Sequence, residues 1–149
     1  MDKPIKTQEL YEFLEKVDKT FPTPLSEKQD LYLLSEKFCS KGTLCFCVEN
    51  EQIVSLVAGY TENITDNMAY ISVVATLNGY EGRGYAKKLV KEFISICEKR
   101  GIDAVHLYTA KTNSKAISMY KGIGFEEWKP GDEQRQGDLH LIYYVEVKN

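Results

Sequence analysis

Two groups of residues have types and spacings that suit chemistry. The first, Tyr80-Glu81-Gly82-Arg83-Gly84-Tyr85-Ala86, sets a glycine loop directly before a strongly periodic apolar stretch. Glycines let a backbone approach a ligand closely. The free N–H groups at a helix start, with a dipole worth roughly half a positive charge, favour an anion such as a pyrophosphate. The second group runs from Asn113 to Tyr120. Its amide and phenol lie two helical turns apart on one face, so both reach one elongated ligand.

The elements that must position these groups follow from periodicity. Residues 86–100 repeat apolar side chains at Ala86, Leu89, Val90, Phe93, Ile96 and Cys97, the stripe of an amphipathic helix, with Lys87, Lys88, Lys91, Glu92, Glu98 and Lys99 turned to solvent and Gly101 at its end. An apolar run over residues 68–76 precedes the loop, and residues 104–110 read as the next strand. A strand–helix–strand unit of this length implies a parallel, right-handed crossover. Asn113 or Ser114 caps a short helix that runs to Lys121, and Gly122 and Gly124 break it.

Upstream, Leu10, Phe13, Leu14 and Val17 mark a helix over residues 7–19, which Phe21-Pro22-Thr23-Pro24 ends. Ser26-Glu27-Lys28-Gln29 has the form of a capping box for a second helix carrying Leu31, Leu34 and Phe38, with Gly42 as its C-cap. The period then changes to two. Strands over 43–49 and 53–61, joined by a turn at Asn50-Glu51-Gln52, form a β-hairpin. Cys45 and Cys47 alternate with Leu44, Phe46 and Val48, as in a strand buried on both faces. Residues 125–128 are extended, 129–138 form a polar loop, and 139–147 form the last strand.

The bulk numbers set outer limits. A chain of 149 residues is long enough for one core and short for two. A net charge of −3 argues against a nucleic-acid binder and suits a cationic amine as partner. No apolar run approaches the ~18 residues of a membrane span, and no signal peptide opens the chain, so a cytoplasmic protein is expected. The four cysteines lack metal-ligand spacing and the two histidines are far apart in sequence, so reduced core thiols and no metal are expected. Asn63-Ile64-Thr65 matches a glycosylation acceptor by chance.

Three phosphate-binding designs compete for the loop. A Walker A loop needs Lys and Ser or Thr where Tyr85 and Ala86 stand, and a dinucleotide fingerprint needs a glycine where Lys87 stands. The third design, Arg/Gln-x-x-Gly-x-Gly/Ala, fits at Gly84 and Ala86 and departs at Glu81. With Asn113-x-x-Ala116-x-x-x-Tyr120-x-x-x-Gly124-Phe125 at the right distance, the arrangement resembles the GCN5-related N-acetyltransferase (GNAT) family. The clear likeness covers residues 68–125, and the order of elements extends it loosely over almost the whole chain.

The resemblance implies a single α/β (α+β) domain over 1–149. Residues 1–42 would supply two acceptor-side helices, 43–125 the hairpin and cofactor-binding core, and 126–149 the C-terminal strands. The sheet would be mixed and mainly antiparallel, with six to seven strands, about four flanking helices, and a splayed parallel pair at the cofactor site. It also implies an acetyltransferase that moves an acetyl group from acetyl-CoA to a primary amine by direct attack in a ternary complex. Backbone groups of Val74 and Thr76 would pair with pantetheine, and the amides of Gly82, Gly84, Tyr85 and Ala86 would hold the pyrophosphate. Arg83 and Lys87 add charge there or are solvated surface cations, and Asn113 belongs to the cofactor side. Tyr120 matches the family's proton donor to the thiolate, with core packing as its other reading.

Glu81 must point away from the diphosphate or weaken its binding, because like charges a few ångströms apart repel. No Glu or Asp on the strand at 68–76 supplies a general base, which leaves Tyr70, Ser72, His106 or a water chain; a satisfied core histidine is the commoner state of a residue like His106. Tyr60, Tyr70, Tyr108 and Trp128 are candidate acceptor-pocket walls, and Asp132, Glu133 or Asp138 could attract a cationic amine. An amino acid, polyamine, amino sugar, aminoglycoside or protein amine all suit, in a monomer or a homodimer. A non-catalytic acyl-CoA-binding module is the alternative, and a nucleotide-dependent oxidoreductase ranks below it.

Overall fold

The computed structural model describes residues 4–128 and 137–146. Helices α1 (Thr7–Val17) and α2 (Leu31–Lys41) precede the hairpin of β1 (Thr43–Glu49) and β2 (Gln52–Tyr60). Then come β3 (Met68–Thr76), α3 (Tyr85–Lys99), β4 (Ala104–Ala110), α4 (Ser114–Ile123), β5 (Glu126–Glu127) and β6 (Asp138–Tyr144). The strands form one six-stranded sheet in the order β1-β2-β3-β4-β6-β5. Among the described residues only β3 and β4 run parallel, joined by the α3 crossover; the other four pairings are antiparallel. This is the mixed α/β sheet expected from the sequence. Among the described residues no helix is long and apolar enough to cross a membrane.

Two apolar clusters cover the two faces. Leu10, Phe13, Leu14 and Val17 of α1 and Leu34 and Phe38 of α2 pack on Leu56, Ala58, Val73 and Ala75. On the other face, Leu89, Val90, Phe93, Ile94 and Cys97 of α3 pack with Tyr120 and Phe125 on Val57, Ala69, Ile71, Val105, Leu107 and Leu141.

The inventory of β3 contains a change of phase. Ala69 and Ile71 face α3, yet Val73 and Ala75 face α1 and α2. Regular alternation would keep all four on one side. A bulge intervenes: Ala58 pairs with Val73 and the next residue, Gly59, pairs with Ile71, so Ser72 is the extra residue. A bulge bends its strand and increases local twist. Immediately beyond it the strand leaves β4, because the parallel ladder pairs Met68–Ile71 with Ala104–Leu107 and stops there, although both strands continue. The splay expected between the parallel strands therefore begins at the bulge.

Several local expectations are corrected. Ser26 does not cap α2; Asp30 does, accepting the Leu33 N–H at 3.0 Å, while Ser26 lies in a 3-10 turn (Leu25–Glu27) and bonds to Asp18. A carboxylate across the loop takes the hydroxyl that the capping box required. The first helix stops at Val17 and tightens into a 3-10 turn, Asp18–Thr20. Strand β1 is a sheet edge with Val48 exposed, so it is not buried on both faces. In α3 Ile94 joins Leu89, Val90, Phe93 and Cys97 in the buried stripe, whereas Ile96 and Ala86 are half-buried. Helix α4 runs through Gly122 to Ile123 and ends at Gly124, and β6 occupies Asp138–Tyr144.

Candidate active site

A cavity of about 580 Å³ opens where β3 and β4 part. It is lined from both faces of the sheet. Phe21, Pro22, Thr23 and Leu25 border it from the α1–α2 side, and Ala116, Met119 and Tyr120 from α4. The glycine loop closes its end with Gly82, Gly84, Tyr85, Ala86 and Lys87.

The loop takes the shape that its glycines permit. Gly82 and Gly84 have φ of 79° and 81°, a left-handed region that a side chain rarely adopts, and Gly84 is the N-cap of α3. A Cβ at either would meet no atom within 4 Å, so backbone conformation selects glycine here and the space before the loop is open. The first turn of α3 contains no acidic residue, which leaves its free N–H groups and dipole uncompensated within the helix.

Side chains hold the loop from behind. The Tyr85 hydroxyl donates to the Glu49 carboxylate at the end of β1, and Arg83 lies 3.6 Å from that same carboxylate. Arg83 also donates to the Gly79 carbonyl at 3.2 Å and sits over the Tyr80 ring at 4.9 Å. The Glu49 hydrogen bond raises the Tyr85 phenol above its ordinary value. Glu49 gave no signal in the sequence beyond a strand end. Lys87 is exposed and lines the cavity, and Glu81, also exposed, stands at its mouth.

Along β3, the Leu77 N–H donates to the Val54 carbonyl at 2.9 Å, which fixes the phase of the antiparallel ladder. By alternation, Val73 and Ala75 turn their backbone groups to β2, and Val74 and Thr76 turn theirs into the gap left by β4. The Thr76 hydroxyl is held 2.8 Å from that of fully buried Ser55. Beyond the gap, Asn113 caps α4 by accepting the Ala116 N–H at 3.3 Å. The phenol of Tyr120 lies against Phe125, with ring centroids 5.5 Å apart. Tyr120 is buried, and burial pushes its phenol well above the ordinary tyrosine value. Among the described residues none hydrogen-bonds its hydroxyl.

On the α1–α2 face, aromatic rings line the far side of the gap. Tyr70 and Tyr108 border the cavity, with His106 between them in the ring cluster at 5.1 Å from Tyr70. His106 Nδ1 lies 2.9 Å from His140 Nε2, the ring of which stacks on Tyr108 at 4.1 Å; Trp128 packs edge-on against both histidines. Two residues far apart in sequence thus meet across β4 and β6, a pairing that register alone reveals. Tyr60 packs on Phe38 beneath Lys37, away from the cavity, and Trp128 supports the wall without lining it. Asp138 borders the cavity, whereas Asp132 and Glu133 lie outside the described residues. Lys28, Thr109 and Lys115 also line it and were not anticipated.

Among the described residues no group of three or more His, Cys, Asp or Glu side chains is placed to hold a metal ion. The cysteines form no disulfide among themselves, and burial pushes the Cys97 thiol up to about 12.

Known proteins are similar to this chain in sequence or in fold. Over 60 residues the chain is 38% identical to N-alpha-acetyltransferase 30 of Saccharomyces cerevisiae, covering 40% of this chain and 34% of that protein. It is 30% identical to the [ribosomal protein bS18]-alanine N-acetyltransferase of Haemophilus ducreyi, over 59% of this chain and 66% of that one. The aligned region is thus about a third of the length of the yeast relative. The crystal structure of the PaiA N-acetyltransferase from Thermoplasma acidophilum in complex with coenzyme A superposes with a TM-score of 0.73. That match covers 95% of this chain and 96% of that one at 16% identity, a likeness of fold. The model of the acetyltransferase (GNAT) family matches residues 9–125, and the chain belongs to that family.

Proposed function

We propose that the protein transfers an acetyl group from acetyl-CoA to a primary amine by direct attack within a ternary complex. One observation carries this reading: the β3–β4 ladder ends at Ile71 and Leu107, leaving a slot that joins the glycine loop, the Tyr120 phenol and the opposite face of the sheet. An acyl donor lying along one side of such a slot presents its carbonyl to an amine entering from the other.

In this reading the N–H groups of Gly82, Gly84, Tyr85 and Ala86 hold the diphosphate, with Lys87 adding charge from the cavity wall. Arg83, engaged by Glu49, braces the loop. Val74 and Thr76 pair with the amides of the pantetheine arm, and Asn113 shapes the wall at the start of α4. The amine nitrogen attacks the thioester carbonyl carbon, the C–S bond breaks, and the departing thiolate takes the Tyr120 proton. Burial keeps that phenol protonated across the neutral range, the state that a general acid requires. The amine loses its proton to solvent through the open side of the slot, where Tyr70 and Ser72 stand. Asp138 provides negative charge to draw an ammonium group toward the site.

Among possible acceptors, the α-amine of a peptide has the most support, since both relatives named above are Nα- or alanine N-acetyltransferases. The test is a thiol-release assay with acetyl-CoA and a panel of amines: an alanine-initiated peptide, the same peptide blocked at its N-terminus but containing lysine, a polyamine and an aminoglycoside. Turnover with the free α-amine supports the reading. Binding of CoA without turnover on any amine replaces it with a non-catalytic acyl-CoA-binding module.

A further inference from the structure

Asp18 is the buried carboxylate that this chemistry leaves unused. It lies at the end of α1, 8% exposed, and accepts two hydrogen bonds from one residue: the Ser26 N–H at 3.0 Å and the Ser26 hydroxyl at 2.5 Å. Hydrogen bonds to a charged acceptor are among the stronger ones. These hold the Asp18 carboxyl below the usual carboxylate range.

The chain closed by this contact borders the cavity. Thr20, Phe21, Pro22, Thr23 and Leu25 all line it, opposite Tyr70 and Tyr108 on the face away from α3 and α4. Among the described residues no hydrogen bond reaches Pro22 or Thr23. Phe21 and Leu25 are half-buried against the α1–α2 cluster, and Thr20 ties back to the Val17 carbonyl at 2.6 Å. The wall is therefore fixed at its start by α1 and at its end by the Asp18–Ser26 contact, with prolines limiting its freedom between them.

We propose that Asp18, acting through Ser26, is a positioning residue for the acceptor: the clasp sets the wall of the slot that the incoming amine must pass. The proposal rests on the acetyltransferase reading above. It assigns the clasp to the acceptor alone, because the glycine loop and β3 are held by separate contacts from Glu49, Ser55 and β2.

Ser26 is exposed, so Ser26→Ala removes one hydrogen bond without opening the core, and Ser26→Thr keeps the hydroxyl. With the alanine-initiated peptide and acetyl-CoA as substrates, Ser26→Ala is expected to raise the peptide KM by roughly fivefold or more, leaving the acetyl-CoA KM within about twofold. Ser26→Thr restores the peptide KM, which a general loss of folding would not allow. Hydrogen exchange gives a readout independent of turnover: amides at 20–28 exchange faster in Ser26→Ala while those at 82–88 do not change. Equal rises in both KM values, an unchanged peptide KM, or unchanged exchange at 20–28 overturns the clasp. If the wild-type protein releases no thiol with any amine, the acetyltransferase reading falls and the acceptor role with it; wild-type turnover with an unaltered peptide KM in Ser26→Ala removes the clasp alone.

Discussion

The Tyr85 hydroxyl donates to the Glu49 carboxylate, tying the first residue of α3 to the end of β1 across 36 positions of sequence. The anion-binding turn is thereby braced by the hairpin as well as by its own glycines. Arg83 shares the same carboxylate, so its charge is partly neutralised before any phosphate arrives. Tyr85→Phe is expected to weaken CoA binding by about three- to tenfold, the effect of one hydrogen bond of ordinary strength. Calorimetry on Tyr85→Phe, Glu49→Ala and the double variant should give non-additive losses, because both single changes remove the same contact. Additive losses would mean that the two side chains act separately.

Tyr120→Phe separates chemistry from binding. The ring stays packed on Phe125 and only the hydroxyl is lost. Turnover should fall by ~10²–10⁴, the range for a general acid, with the acetyl-CoA KM little changed. Since burial raises this phenol, the alkaline limb of the wild-type rate profile should lie above the ordinary tyrosine range. Unchanged turnover in the variant removes Tyr120 from the reaction.

Glu81→Gln tests a carboxylate at the cavity mouth. Removing a negative charge near a diphosphate leaves CoA affinity equal or better, and Glu81→Arg should improve it further. A dissociation constant about tenfold higher by calorimetry, far outside what loss of repulsion allows, would assign Glu81 a supporting contact.

Acid unfolding reports on Asp18. Its folded carboxyl is depressed chiefly by the Ser26 hydroxyl, so its contribution to stability is complete above the unfolded value of ~3.9 and is lost as pH falls through the lower folded value. Asp18→Asn should lower stability at neutral pH and flatten the acid limb below about pH 4 in a circular-dichroism titration. Parallel curves for the two proteins would show that the charge of Asp18 is not involved.

Gly59 occupies a site with no room for a side chain. A methyl there collides with the Tyr70 carbonyl oxygen and lies 2.9 Å from Phe93 Cζ. Gly59→Ala is expected to cost about 3 kcal/mol or more in urea unfolding, since backbone must move to admit the atom. A loss within the noise of a surface substitution would show that the bulge beside it adapts.

The helices and strands were legible because their apolar spacing is regular: the period of 3.6 across Leu89, Val90 and Phe93 and the alternation across β4 each admit one reading. The glycine loop and the Asn113–Tyr120 face were legible because both are local. What escaped depends on residues distant in sequence. Ser26 looks like a cap until Asp18 takes its hydroxyl, and Glu49 looks like a strand end until Tyr85 reaches it. His106 and His140 meet only through the β4–β6 register. The change of phase in β3 is hidden because the run from Ile71 through Ala75 is apolar on both faces apart from Ser72.

That extra residue at Ser72 makes the length of β3 a constraint separate from its composition. Replacing Ser72 by another small residue leaves Val73 and Ala75 on the α1–α2 face. Deleting it would make Val73 follow Ile71 directly, so that regular alternation keeps Val73 and Ala75 on the α1–α2 face while the bend of the bulge is lost and the strand straightens toward β4. Substitutions and deletions at this position therefore belong to different classes of change: the first alters a side chain, and the second closes the slot.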